Sequence, residues 1–189
     1  MTTVLTRVRR PAQYLAAAAL AAAAVTVPGT AQAGTAKPAA APAVDASCPT
    51  GNATVGLSPG ATLEQRQTAI SLRGNAGPCI SSDPAITAIS SFSGTGQGMV
   101  SCVDAAYTFT ATVVWNTGEV STVAASSTLN LGPLGDAVAV ISGPVTSGKF
   151  AGDTVEVQIA LLPDSFVGCV TPQGVTQLQG TVIATFAHL

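Results

Sequence analysis

Thr154-Val155-Glu156-Val157-Gln158-Ile159-Ala160-Leu161-Leu162 alternates polar and apolar residues from Thr154 through Ile159. Val155, Val157, Ile159 and Leu161 fall on one face, and Thr154, Glu156 and Gln158 on the other. A period of two with β-branched residues on the apolar side is the pattern of a half-buried strand. Working outward, Tyr107–Trp115 does the same, with Tyr107, Phe109, Ala111, Val113 and Trp115 opposite Thr108, Thr110 and Thr112. So does the last apolar stretch, where Leu178, Gly180, Val182, Ala184 and Phe186 oppose Gln177, Gln179 and Thr181. Arg66, Thr68, Ile70 and Leu72 form a fourth such face. Weaker strands are expected near Ala53–Leu57, Ile86–Phe92, Val120–Leu129 and Ala137–Val145. Pro144 predicts an edge strand or a bulge in the last of these.

Between the strands the punctuation is that of turns. Ser58-Pro59-Gly60, Gly74-Asn75-Ala76-Gly77-Pro78 and Gly132-Pro133-Leu134-Gly135 break regular structure, and Gly94-Thr95-Gly96-Gln97-Gly98 reads as a flexible hairpin loop. At Asn116-Thr117-Gly118 a three-residue loop ending in a left-handed glycine would set Trp115 opposite Glu119. A two-residue loop would shift the register, and both remain open. About eight short strands without a strong helix predict an all-β fold. The expected architecture is an antiparallel two-sheet sandwich, with a closed β-barrel as the alternative.

The amino terminus predicts export of this domain. Arg7, Arg9 and Arg10 precede an apolar run from Leu15 to Val27, and Ala31-Gln32-Ala33 supplies small residues for cleavage after position 33. That is the pattern of a secretory signal over residues 1–33. Residues 34–46, with Pro38 and Pro42, read as a flexible Ala/Pro leader, and the domain is expected over 47–189. After processing, four basic residues stand against nine acidic ones, a formal charge of −5. So few scattered cations cannot neutralise a run of phosphates, which argues against nucleic acid. No basic amphipathic helix suggests membrane association, and no membrane insertion is expected after processing.

All four cysteines, Cys48, Cys79, Cys102 and Cys169, lie beyond the signal. An even count in an oxidising compartment predicts two disulfides. Three pairings are possible, and a β-meander favours Cys48–Cys79 with Cys102–Cys169. A zinc site built on them is disfavoured, since there is no C-x-x-C pair and no second histidine.

Chemistry is scarce elsewhere. The sole histidine, His188, sits next to the carboxyl terminus and reads as a frayed strand end. No G-x-S-x-G elbow occurs. A carboxylate-only hydrolase would need two of Glu64, Glu119, Glu156, Asp104, Asp136, Asp153 and Asp164 across a cleft, but most of the aspartates flank turns. Nothing matches a D-x-D-x-D-G calcium loop. Asn52-Ala53-Thr54 fits a glycosylation acceptor and carries little weight alone. Tyr107, Phe109 and Trp115 share one strand face and read as core. Phe150 and Phe166 sit in Gly-rich connections, as plugs for the end of the fold or as loops that anchor a partner.

Three segments carry a resemblance: Trp115–Val123, Val145–Val155 and Cys169–Thr176. They resemble a group of small exported proteins of Streptomyces-like actinobacteria, over roughly residues 48–187. The resemblance implies a disulfide-braced β fold and carries over no functional residue. A looser similarity, in composition and disulfide number, is to the neocarzinostatin-like apoproteins, exported acidic sandwiches that hold an apolar chromophore. Those close two short loops, whereas the cysteine gaps here are 31, 23 and 67. The expected function is that of a non-catalytic secreted protein with a binding or structural role, needing no cofactor and no metal. Its expected partner is an extracellular protein or a small apolar ligand. An exported hydrolase working through carboxylates is the alternative.

Overall fold

A computed structural model describes residues 43–131, 137–162 and 168–188. Ten antiparallel strands follow in chain order: β1 Ala43–Cys48, β2 Gly51–Ala61, β3 Arg66–Ala76, β4 Ile80–Ser81, β5 Ile89–Val100, β6 Ala105–Trp115, β7 Val120–Leu131, β8 Ala137–Gly148, β9 Thr154–Leu161 and β10 Val175–His188. Eight of them form an up-and-down meander, β2-β3-β5-β6-β7-β8-β9-β10, and β10 returns to pair with β2. The sheet is therefore a closed barrel and not the two-sheet sandwich. Both architectures bury one face of every strand, so alternation alone does not separate them. What selects closure is the seam, where Thr181↔Asn52, Leu178↔Val55 and Gln177↔Gly56 join first barrel strand to last. Closure also removes the free edges that a sandwich must protect.

Each of the eight strands expected from the sequence overlaps one strand of the barrel, although the expected Ile86–Phe92 reaches only the first four residues of β5. Their apolar faces all point inward and make a single core, including Val55, Ile70, Phe109, Trp115, Ile141, Ile159, Val182 and Phe186. The outward positions Thr108, Thr110, Thr112, Glu156, Gln158, Gln177 and Gln179 are exposed. This polarity, apolar inside and hydroxyl-rich outside, is the reverse of a membrane-spanning barrel. Among the described residues no helix is long and apolar enough to cross a membrane.

Gly94-Thr95-Gly96-Gln97-Gly98 is not a loop but the middle of β5. Its three glycines take inward positions opposite Ala111, Phe109 and Tyr107. A Cβ on Gly96 would sit 2.1 Å from the Thr108 carbonyl oxygen and 2.5 Å from the Phe109 Cβ. The missing side chains let β5 and β6 bend close together while the two rings fill the vacated space, the device by which barrels turn corners. Period-two spacing of the glycines was the signal for a strand.

The Asn116-Thr117-Gly118 hairpin takes its three-residue form. Trp115 N donates to Glu119 O at 2.9 Å, and Gly118 has φ 85°. Pro144 lies inside the barrel wall and not at an edge. The β7–β8 ladder lapses between Ser126↔Ser142 and Val123↔Val145, then shifts register between Thr122 and Val123. The missing N–H of the proline falls in that lapse, where the register is unchanged, and the bulge follows just beyond it, between Val145 and Ser147.

The domain includes residues before position 47. Ala43–Ala46, assigned to the leader, belong to β1, and Ala46 is buried. β1 runs ahead of β2 along the same side of β10, from Ala43↔His188 to Cys48↔Ala184. β4 extends β3 in the same way and pairs β1 at Ser47↔Ile80. Cys48 is bonded to Cys79 at this double break, and Cys102 to Cys169 between the β5–β6 and β9–β10 connections. These are the pairs that the meander favours.

Candidate functional site

The end of the barrel where β6 and β10 finish is closed by three rings. Trp115 meets Phe150 at 5.2 Å and Phe186 at 5.1 Å between centroids, both edge-to-face. Trp115 Nε1 donates to Ser121 Oγ at 2.9 Å, and that hydroxyl donates to Lys149 O at 2.6 Å. The β8–β9 turn is thereby tied down with Phe150 aimed inward. Phe150 adopts φ 58°, a left-handed conformation rare for a bulky residue and held only where packing outweighs a strain of about 1–3 kcal/mol. Its ring is half-buried against the core, so it acts as a plug and not as a free anchor. Phe166, the other candidate loop aromatic, lies outside the described residues.

Lys149 covers the plug from outside. Its Nζ stands 2.5 Å from Asp83 Oδ2, 3.6 Å from Glu119 Oε2 and 5.4 Å from the Phe150 ring centroid. The Asp83 bond raises the Lys149 ammonium above its ordinary pKa and lowers the Asp83 carboxyl.

Beside the plug is a cluster that sequence reading missed. A bulge between Val44 and Ala46 leaves Asp45 unpaired and turns it toward the end of β10. His188 is no frayed end; it pairs with Ala43 in the sheet. Its Nδ1 lies 2.5 Å from Asp45 Oδ2, with Asp45 and His188 side chains 18% and 55% exposed. Asp153 reaches the same point from the Phe150 turn. One ligating atom from each of the three residues lies within 4.8 Å of the others. Ser82 Oγ donates to Asp45 Oδ1 at 2.7 Å. Bonds from Ser82 and His188 pull the Asp45 carboxyl below its usual range. Burial, and then the Asp45 charge, push that of Asp153 above it. The bond to Asp45 raises the His188 imidazole.

A hydroxyl, a carboxylate and an imidazole thus meet, but in an order unlike a nucleophilic triad. That chemistry needs the imidazole between the other two, taking the hydroxyl proton. Here the carboxylate stands between, and Ser82 Oγ gives its hydrogen bond to Asp45. The remaining acidic candidates do not gather. Glu64, Glu119, Glu156 and Asp104 are exposed, and Asp104 accepts from Gln65 Nε2 at 3.3 Å. Asp136 and Asp164 lie outside the described residues.

Among the described residues, the barrel interior holds two apolar cavities of about 40 Å³ each. Val55, Leu57, Tyr107 and Leu178 line one near the Cys102 end, and Phe92, Phe109, Ile141 and Val182 line the other. Ligand pockets run to roughly 300–1,000 Å³, and even benzene-sized occupants need about 150 Å³. Outside, a depression of about 660 Å³ crosses β5 to β8, edged by Thr95, Gln97, Thr108, Thr110, Ser126 and Ser142. It carries hydroxyl and amide groups and no charge. The chain has no match among protein-family models, curated proteins or solved structures.

Proposed function

We propose that this is a non-catalytic exported protein that works by presenting a rigid outer surface to an extracellular protein partner. One observation carries the reading: side chains fill the barrel, and the two interior cavities fall far short of a ligand's volume. A small apolar ligand would need the wall to open, against two disulfides and the ring plug. The outer face over β5–β7 supports recognition by hydrogen bonds, since its exposed positions Ser93, Thr95, Gln97, Thr108, Thr110, Thr112 and Ser126 are neutral. None of the large exposed apolar residues described is aromatic, so stacking on sugars has no platform there. The disulfides and the signal-like amino terminus support export.

Native mass spectrometry of protein recovered from culture medium tests this. The expected spectrum shows polypeptide with no organic molecule retained. A stoichiometric lipid or chromophore would overturn the reading.

The closeness of Asp45 and Asp153 favours a second reading, an exported hydrolase. One oxygen from each lies within 4.8 Å of the other, closer than the paired carboxyls of retaining glycosidases at about 5–5.5 Å. Against it, Asp153 is buried, and both oxygens of Asp45 are already engaged by Ser82 and His188. Assays with chromogenic glycosides and esters are expected to show no turnover. Turnover abolished by Asp153→Asn would establish the hydrolase instead.

A further inference from the structure

We propose that Asp45, Asp153 and His188 form a binding site for a divalent first-row transition metal ion of the zinc class, which staples the bulge of β1, the Phe150 turn and the end of β10 together. Two independent observations point there. The first is convergence: one oxygen from each carboxylate and one imidazole nitrogen lie within 4.8 Å of one another, from segments far apart in sequence. The second is an orphan. Asp153 is 5% exposed, yet its buried Oδ2 has no hydrogen-bond partner. Buried polar atoms are nearly always paired, and an unpaired one marks a strain reservoir or a missing ion.

The charge fits a cation. Two carboxylates face a single imidazole, and Lys149, the nearest ammonium described, is committed to Asp83 and Glu119. A protonated His188 would satisfy Asp45 from the exposed side, and Asp153 could then bond Asp45 only by keeping a proton of its own, which burial favours. An ion inside the cluster reaches all three. The donor set selects the ion's class: imidazole with carboxylate suits zinc and its neighbours, whereas calcium and magnesium prefer oxygen alone. Three protein ligands leave positions for water, as in open zinc sites. Ser82 supplies the outer support, since its bond to Asp45 Oδ1 leaves Oδ2 directed at the cluster. The bulge that aims Asp45 is a device found where a strand must redirect a side chain.

The test is calorimetric titration of tag-free, chelator-stripped protein with zinc sulfate, alongside thermal unfolding with and without zinc. Saturable uptake of a single ion per chain and a rise in melting temperature are expected. Asp153→Asn keeps shape and removes charge, so its zinc-free unfolding should match or exceed the parent's while zinc uptake is lost. Ser82→Ala should weaken uptake by about 10–100-fold. The chain has one histidine, so X-ray absorption at the zinc edge should show one imidazole, absent in His188→Gln. No saturable uptake, uptake unchanged in Asp153→Asn, or preference for calcium over zinc would each overturn the proposal.

Discussion

Trp115→Ala lowers stability by about 3–5 kcal/mol, the cost of emptying a large buried aromatic site. Trp115 is 1% exposed, and three things rest on it. It supplies the edge-to-face contacts of Phe150 and Phe186. Its Nε1 bonds the buried Ser121 hydroxyl, which in turn holds Lys149 O. Without the ring, Phe150 loses the packing that sustains its left-handed backbone. Domains have about 5–15 kcal/mol in total, so this one change takes a large share. Urea unfolding checks it: the midpoint should fall with the slope unchanged. Trp115→Phe should cost less, since a ring remains, and its loss combines the hydrogen bond to Ser121, about 1 kcal/mol, with the smaller ring's lost packing. A loss under about 1 kcal/mol in the alanine variant would mean that the rings do not seal that end.

The second large effect belongs to the opposite end. Replacing Cys102 and Cys169 together by serine should cost about 2–5 kcal/mol. This disulfide spans 67 residues and Cys48–Cys79 spans 31, so the chain-entropy model assigns about 4.4 and 3.7 kcal/mol respectively. The larger loss should therefore follow the 102–169 pair. For a domain of this size each kcal/mol moves the melting temperature by roughly 2–4 °C, so a fall of about 10 °C is expected. Calorimetry of the two double-serine variants ranks them. Equal or reversed losses would show that native packing, not loop closure, sets the worth of each bond.

The strands were legible because their sequence carries the physics that builds them: a half-buried strand must alternate, and Val155–Leu161 and Tyr107–Trp115 do. Closure was not legible. Whether a last strand meets the first depends on curvature gathered over the whole sheet, and part of that curvature comes from Gly94, Gly96 and Gly98. Glycine usually marks a turn, which hides the meaning of their spacing of two, a single row on one face of β5. β1 was hidden because Ala43–Ala46 has the composition of the Ala/Pro stretch before it, and short side chains bury little surface of their own. The acidic candidates included Asp153 but not Asp45. Asp45 and His188 are 143 positions apart, and only β1–β10 pairing and the Val44–Ala46 bulge bring them together. Phe150 stands out in the sequence as an aromatic among glycines and reads first as a plug; what the sequence hides is that Trp115 and Phe186 are the rings it meets.

The closed, filled barrel is the claim on which the surface-binding account rests, and amide hydrogen exchange at the β2–β10 seam tests it most directly. Inter-strand amides of residues 52–56 and 177–181 should exchange as slowly as those between β6 and β7, opening only with global unfolding. Fast exchange confined to that seam would mean two free edges and a wall able to part, and the barrel would then be a container whose contents remain to be found.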